Sequence, residues 1–202
     1  MLIVAGAFEP ELEALRRADL GGVDVDFLLT GIGSVSAAVS VTRRLCQEGA
    51  SRLVFVGSCG SYGDYLPLRS CACVAAVCQT DYLAASSRGH IPAAAVETID
   101  ADPELKAQLS ALADEECIAS SPISIADEKE AAVALAEYSG AGVENLELFG
   151  VAKACKQAGI PWGALCAVTN FVGPGSGQQW RNNHIQAAEH TAQVLQRFLQ
   201  AL

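Results

Sequence analysis

Three short stretches of this 202-residue chain carry side chains able to do chemistry. Glu9 and Glu11 follow an apolar run over residues 2–7. Glu144 and Glu147 stand three apart, just ahead of a second apolar run over residues 148–152. Asn170 closes a third run, over residues 162–169. A carboxylate can deprotonate water, or accept hydrogen bonds from hydroxyl groups. One that enters an apolar run is costly to bury without donors, so Glu147 needs partners. Each acid also has a plain structural reading. Glu9 and Glu11 suit a solvated first helical turn, where the helix dipole favours negative charge. Glu147 suits a helix start bonded to backbone amides, and Asn170 suits an ordinary turn.

Two glycine-bearing stretches complete the set: Thr30-Gly31-Ile32-Gly33-Ser34, and residues 57–63, GSCGSYG. Position 36 is serine, so GxGxxG is absent, and no GK[ST] follows either stretch. Neither a dinucleotide nor a nucleotide triphosphate fingerprint is present, and no cofactor is expected. Glycines after strands do let backbone amides approach a ligand closely. The three histidines, His90, His184 and His190, lack metal-ligand spacing with the eight cysteines, so no metal site is expected. The cysteines contain no CxxC pair and several lie in apolar runs. They read as buried, reduced thiols of a cytoplasmic protein. Cys59 has no adjacent base to make it a nucleophile.

The elements that must position these residues alternate along the chain. Strands are expected at residues 2–7, 23–29, 53–57, 70–78, 117–125 and 162–169. Helices are expected from Pro10 to about Leu20, from Ser34 or Ser36 to near Gly49, and from Asp102-Pro103 to about Asp114. Others follow from Asp127 to about Tyr138, Asn145 to Ala158, and Trp180 to about Leu199. Residues 58–63 read as a loop, and 80–102 as ambiguous. Alternation of this kind implies an α/β sheet covered on both faces. Ligands in such folds bind beyond the carboxyl ends of the strands. That places Ser58, Gly60, Ser124 and Phe171 beside Glu11 and Asn170 as candidates.

Composition bounds the partners. With 51% hydrophobic and 18% charged residues, the chain can bury a core, and 202 residues suit one domain over 1–202. A net charge of −10 argues against nucleic acid and anionic membrane as partners. No apolar stretch is long enough to span a bilayer, and the N-terminus lacks the basic start of a secretion signal.

Five segments, AFEPELEAL, TGIGS, VGSCGS, VENLELFGVA and AVTNFVG, followed by Trp180, occur in an order that resembles one family. The chain is similar to the purine nucleosidase branch of the nucleoside phosphorylase superfamily, above all to futalosine hydrolases. Methylthioadenosine/S-adenosylhomocysteine nucleosidases are relatives. The resemblance implies a three-layer α/β fold with a central mixed, mainly parallel sheet, and a homo-oligomer, dimer or higher. It implies that Glu11 activates water. Ser58 and Gly60 match the family's serine and glycine after strand three. Leu146-Glu147 matches a Met-Glu pair that holds the ribose hydroxyls. Asn170 stands where the family reads the purine. Phe171 can stack on the base or the sugar. The chain departs from the family pattern at Leu148, usually glycine, at Cys166, usually arginine, and in the loop 173–177, which lacks an Arg-Asp pair.

The residue types fit that reaction. An N-glycosidic bond breaks through an oxocarbenium-like state, with positive charge growing on the ribose. Asparagine offers both a donor and an acceptor, which match O6 and a protonated N7 of a 6-oxopurine. Adenine's amino group suits an aspartate better. The glycine stretches carry no lysine or arginine, and Glu11 would repel phosphate, so water is the expected nucleophile. The expected reaction converts futalosine to hypoxanthine and dehypoxanthine futalosine, a step of menaquinone biosynthesis. The alternatives are methylthioadenosine/S-adenosylhomocysteine or aminodeoxyfutalosine hydrolysis, and a catalytically weak nucleoside-binding protein. Arg181 and His184 lie near the last loop as candidates for futalosine's 5′ carboxyphenyl group, against the simpler reading of a solvated helix face.

Overall fold

The computed structural model describes all residues, 1–202. Its strands are β1 (Leu2–Gly6), β2 (Val25–Leu29), β3 (Arg52–Ser61), β4 (Cys71–Gln79), β5 (Thr98–Asp100), β6 (Glu115–Ser121), β7 (Val143–Glu144) and β8 (Trp162–Phe171). Its helices are α1 (Glu9–Arg17), α2 (Ser34–Leu45), α3 (Tyr82–Ala85), α4 (Pro103–Ser110), α5 (Lys129–Ser139), α6 (Leu148–Ala158) and α7 (Ser176–Gln200). The sheet runs β2-β1-β3-β7-β6-β4-β5, with β8 bridging β3 and β4. The β1–β2, β1–β3, β3–β8, β4–β6 and β6–β7 pairs are parallel; β3–β7, β4–β5 and β4–β8 are antiparallel. The expected mixed, mainly parallel sheet is what the chain forms.

Apolar residues alternate between the two faces, as the period of two requires. Ile3, Leu53, Phe55 and Ala164 face α2 and α6. Leu2, Val4, Val54, Val56 and Leu165 face α1, α4 and α7. Helices therefore cover both faces, giving three layers. Packing is closest between α2 and α6. A Cβ added at Gly150 would lie 2.0 Å from the Ser34 carbonyl oxygen.

Several caps are those the sequence announces. Asp102 accepts hydrogen bonds from the amides of Glu104 and Leu105, and Pro103 sits in the first turn. Gly140 and Gly159 end α5 and α6 in the left-handed conformation. Other boundaries differ for physical reasons. Residues 58–61 are strand, not loop, because β3 keeps pairing with β8 and gains β7 on its other edge. Gly60 is there for close approach, since a Cβ would meet Val172 at 2.8 Å and the Asn170 amide at 2.9 Å. Helix α6 starts at Leu148, not Asn145, because β7 draws off Val143 and Glu144. Neither Ser34 nor Ser36 caps α2; Gly33, with φ of 89°, stands at that position. Asp127 caps nothing and accepts a hydrogen bond from the Ser176 hydroxyl at 3.2 Å. The ambiguous stretch holds α3, a short 3-10 turn at Ala93–Ala95, and β5.

Candidate active site

A cavity of about 310 Å³ opens at one end of the sheet. Its wall includes Glu11, Ser58, Gly60, Leu146, Glu147 and Asn170. These six come from α1, β3, the turn before α6, and the end of β8. The fold thus brings together residues spread over most of the chain.

Glu11 is buried, one helical turn beyond β1. Its Oε2 accepts the Ala7 amide at 2.7 Å. Its Oε1 accepts the Ser58 amide at 2.9 Å and the Ser58 hydroxyl at 3.2 Å. Burial nevertheless dominates, and pushes the carboxyl up to about 7 against the opposing effect of those amides. Such a group is poised to take a proton near neutrality. Glu9, the other early acid, is exposed and pairs with Arg16, so only Glu11 reaches the wall.

Glu147 occupies the N-cap position of α6. Its Oε1 accepts the Gly33 amide at 2.8 Å. Burial raises its pKa, and again a backbone amide opposes the shift. Asn145 links the two acids. Its Oδ1 accepts the amides of Glu147 at 2.9 Å and Leu148 at 2.8 Å, while its Nδ2 donates to the Ser58 carbonyl at 2.9 Å. Sequence reasoning missed Asn145. The available signal was an asparagine two residues ahead of a helix-start acid, a spacing that suits side-chain capping.

Asn170 is buried at the end of β8, and the Thr169 hydroxyl lies 2.8 Å from its Oδ1. Its Nδ2 donates to the Phe171 carbonyl at 3.2 Å. Phe171 itself is a correction. Phe171 is absent from the cavity wall, and its backbone amide donates to Gln179 Oε1 at 2.8 Å where the chain leaves β8 for α7. Ser124 is a second correction. It is exposed, and its neighbour Ile125 lines the cavity instead.

Trp180 supplies the aromatic surface that the sequence suggested at Phe171. Its indole N–H donates to the Ser58 hydroxyl at 3.4 Å. Its ring stacks on His184 at 4.4 Å and tilts against Phe8 at 5.8 Å. His184 is thereby committed to packing behind Glu11, in a small crevice separate from the main cavity. Arg181 does line the cavity, from an exposed position. Glu144 also lines it, from β7 rather than from the helix start that its spacing suggested. No group of three His, Cys, Asp or Glu side chains is placed to hold a metal ion.

The family model of the phosphorylase superfamily matches residues 7–202. A search of the curated proteins finds no match. Among solved structures, the chain is similar to a Helicobacter pylori 5′-methylthioadenosine/S-adenosylhomocysteine nucleosidase bound to butyl-thio-DADMe-Immucillin-A. Identity is 20%, coverage 100% of this chain and 98% of that one, and TM-score 0.88. It is equally similar to a futalosine hydrolase mutant of H. pylori strain 26695, with 20% identity, coverage of 100% and 99%, and TM-score 0.88. The Neisseria meningitidis nucleosidase in complex with methylthio-immucillin-A follows at 19% identity, coverage of 100% and 99%, and TM-score 0.87. At such identities the likeness concerns the fold.

Proposed function

The chain belongs to the phosphorylase superfamily, and on that footing we propose that it hydrolyses the N-glycosidic bond of a purine nucleoside, futalosine in particular. One observation carries this reading: Glu11, Glu147 and Asn170 line a single cavity, and at about 310 Å³ it lies at the small end of ligand pockets. Ionised Glu11 takes a proton from water as the oxygen closes on the anomeric carbon. Glu147 accepts the 2′- and 3′-hydroxyls and faces the positive charge that grows on the ribose. Asn170 meets O6 and N7 of the departing base. Trp180 and Phe8 shield Glu11, and the exposed Arg181 is the basic group nearest a 5′ carboxylate. Water is the co-substrate in this reading: Glu11 is held by the Ala7 and Ser58 amides and the Ser58 hydroxyl with no lysine or arginine partner, and Arg181, which also lines the cavity, is exposed.

The test is base release from a panel of purine nucleosides, with and without phosphate. Hypoxanthine should appear from the 6-oxopurine nucleosides in phosphate-free buffer. Strict dependence on phosphate would sink the hydrolase reading. A second reading, methylthioadenosine/S-adenosylhomocysteine or aminodeoxyfutalosine hydrolysis, draws support from the equal likeness to the H. pylori nucleosidase; preferential adenine release would select it. Tight purine binding without turnover, unaltered in Glu11→Gln, would instead make the protein a nucleoside-binding module.

We further propose that the single domain forms a homo-oligomer in the cytoplasm. Eight free thiols, six of them buried, suit a reducing compartment, and no helix is long and apolar enough to cross a membrane. Val35 and Val39 lie exposed on α2, and exposed Ile32 sits at the cavity mouth close by. Together they form an apolar stripe of the sort an interface covers. Light scattering should give a multiple of 21.0 kDa for the wild type and a lower mass for Val35→Glu. A monomeric wild type would overturn the assignment.

A further inference from the structure

The last strand reaches the cavity through an irregularity. β8 pairs with β3 in register as far as Cys59 and Val168, then resumes at Gly60 and Asn170, so Thr169 is an extra residue on β8. An extra residue of this kind bends a strand and re-aims the side chain beside it. Here that side chain is Asn170. Its amide is held by its two chain neighbours: the Thr169 hydroxyl donates to Oδ1 at 2.8 Å, and Nδ2 donates to the Phe171 carbonyl at 3.2 Å. Where those two residues point, the amide follows. Pairing between β4 and β8 stops at Ala167, so β4 gives this end of the strand no partner.

Helix α7 supplies the partners instead. Gln179 Oε1 accepts the Phe171 amide at 2.8 Å, and Asn183 Nδ2 donates to the Thr169 carbonyl at 3.0 Å. The two side chains stand four apart and share one face of the helix. The Asn183 nitrogen also donates to the Gln179 carbonyl at 2.9 Å, which ties the two grips together. Arg69 Nε donates to Asn183 Oδ1 at 3.3 Å, which leaves the nitrogen turned toward β8. Asn183 is 6% exposed. An amide is buried at that depth for the bonds it makes, since an apolar side chain fills such a place at lower cost. Neither Gln179 nor Asn183 lines the cavity, so neither touches what enters it.

We propose that Gln179 and Asn183 are positioning residues that fix the aim of Asn170 at the purine. The proposal rests on the nucleosidase reading and deepens it. Two planar peptide groups meet at the Asn170 Cα. Asn183 holds the one before it through the Thr169 carbonyl, and Gln179 holds the one after it through the Phe171 N–H. With both planes pinned, the φ and ψ of Asn170 have little freedom left, and the Cα–Cβ direction is set. That direction matters because an amide must set a donor and an acceptor against two ring atoms at once, and hydrogen bonds weaken steeply off line. One turn of α7 thus acts on the departing base from behind the strand.

The experiment is a double-mutant cycle on the fastest-cleaved nucleoside of the panel above. Wild type, Gln179→Met, Asn170→Ala and the double variant are compared. Methionine keeps the length of glutamine and removes the oxygen that accepts the Phe171 N–H. In the wild-type background it should lower kcat/KM by about 10-fold. In the Asn170→Ala background, with no amide left to aim, it should cost less than about 2-fold. Gln179→Glu restores an acceptor and should recover most of the loss. Asn183→Leu, run through the same cycle, should give the same pattern and stands in should methionine at 179 prevent folding. A merely structural role lowers activity alike in both backgrounds, and that result would overturn the proposal. An Asn170→Ala protein as active as wild type would overturn it too, although nucleosidase activity would stand. Should the wild type cleave no purine nucleoside, the nucleosidase reading fails separately. Calorimetry with hypoxanthine on the same four proteins then decides the clamp by the same cycle, and failure of hypoxanthine to bind the wild type counts against it.

Discussion

Replacing Glu11 with glutamine should lower kcat by about 10²- to 10⁴-fold while purine binding stays near the wild-type value. The side chain keeps its shape, and its amide oxygen still accepts one of the two backbone N–H groups that Ala7 and Ser58 present. What disappears is the group that takes the proton from water. The wild-type pH profile should carry the same signature. Burial raises the Glu11 carboxyl to about 7, so the ionised, active form is lost as pH falls through that value. Activity should therefore climb across neutrality and level off above it, with the acidic limb missing from the variant's residual rate. Linkage gives the matching sign for stability. The folded state holds a proton on Glu11 that the unfolded chain, near 4.5, has already released. This group's contribution to stability is accordingly full below about 4.5 and declines as pH rises to about 7. Single-turnover base release settles the catalytic part. A glutamine variant that hydrolyses at the wild-type rate would remove Glu11 from the mechanism.

Gly150→Ala should be the most damaging small substitution for the fold. Helix propensity alone favours alanine, by about 1 kcal/mol. Packing opposes it more strongly. The added Cβ would lie 2.0 Å from the Ser34 carbonyl oxygen and 2.8 Å from its carbon, and both are backbone atoms that cannot rotate away. Helices α2 and α6 would have to separate. Overpacking of this kind costs about 3 kcal/mol or more, so the net loss remains near 2 kcal/mol even after the propensity gain. A fall in Tm of about 4–8 °C follows for a chain of this size. The damage should extend to the sugar site. The turn leading into α2 carries the Gly33 amide that holds Glu147, so KM should rise in whatever fraction folds. Thermal melts followed by circular dichroism supply the check, and an unchanged Tm would refute the packing account.

The elements most legible in the sequence were those with their own punctuation. Pro10, Asp102-Pro103, Gly140 and Gly159 mark helix ends where the structure has them. Continuous apolar runs marked β1 and β8, because strands buried on both faces have no polar alternation to lose. β7 was invisible, since two residues cannot display a period and its pairing is made by distant partners. The same partners turned residues 58–61 from loop into strand. Much of the candidate site was nonetheless accessible. Glu11, Glu147 and Asn170 stood out by type and place, and Ser58, Gly60 and Leu146 by resemblance. Phe171 and Ser124 misled for one reason: proximity along the chain says nothing about which way a side chain points. Asn145 escaped because its role is to hold other residues, and such a role exists only once the fold has closed.

The two acids at the heart of the cavity are gripped by the main chain, at Ala7, Ser58 and Gly33. Exchange of the side chains at Ala7 and Ser58 cannot delete the donors, proline excepted, whereas Gly33, with φ of 89°, is held to glycine by its backbone. The arrangement is therefore insulated from drift: neighbours can be rewritten over evolutionary time while the carboxylates stay seated. Innovation is left to the cavity's outer and base-facing walls, where side chains, rather than the peptide backbone, define what enters.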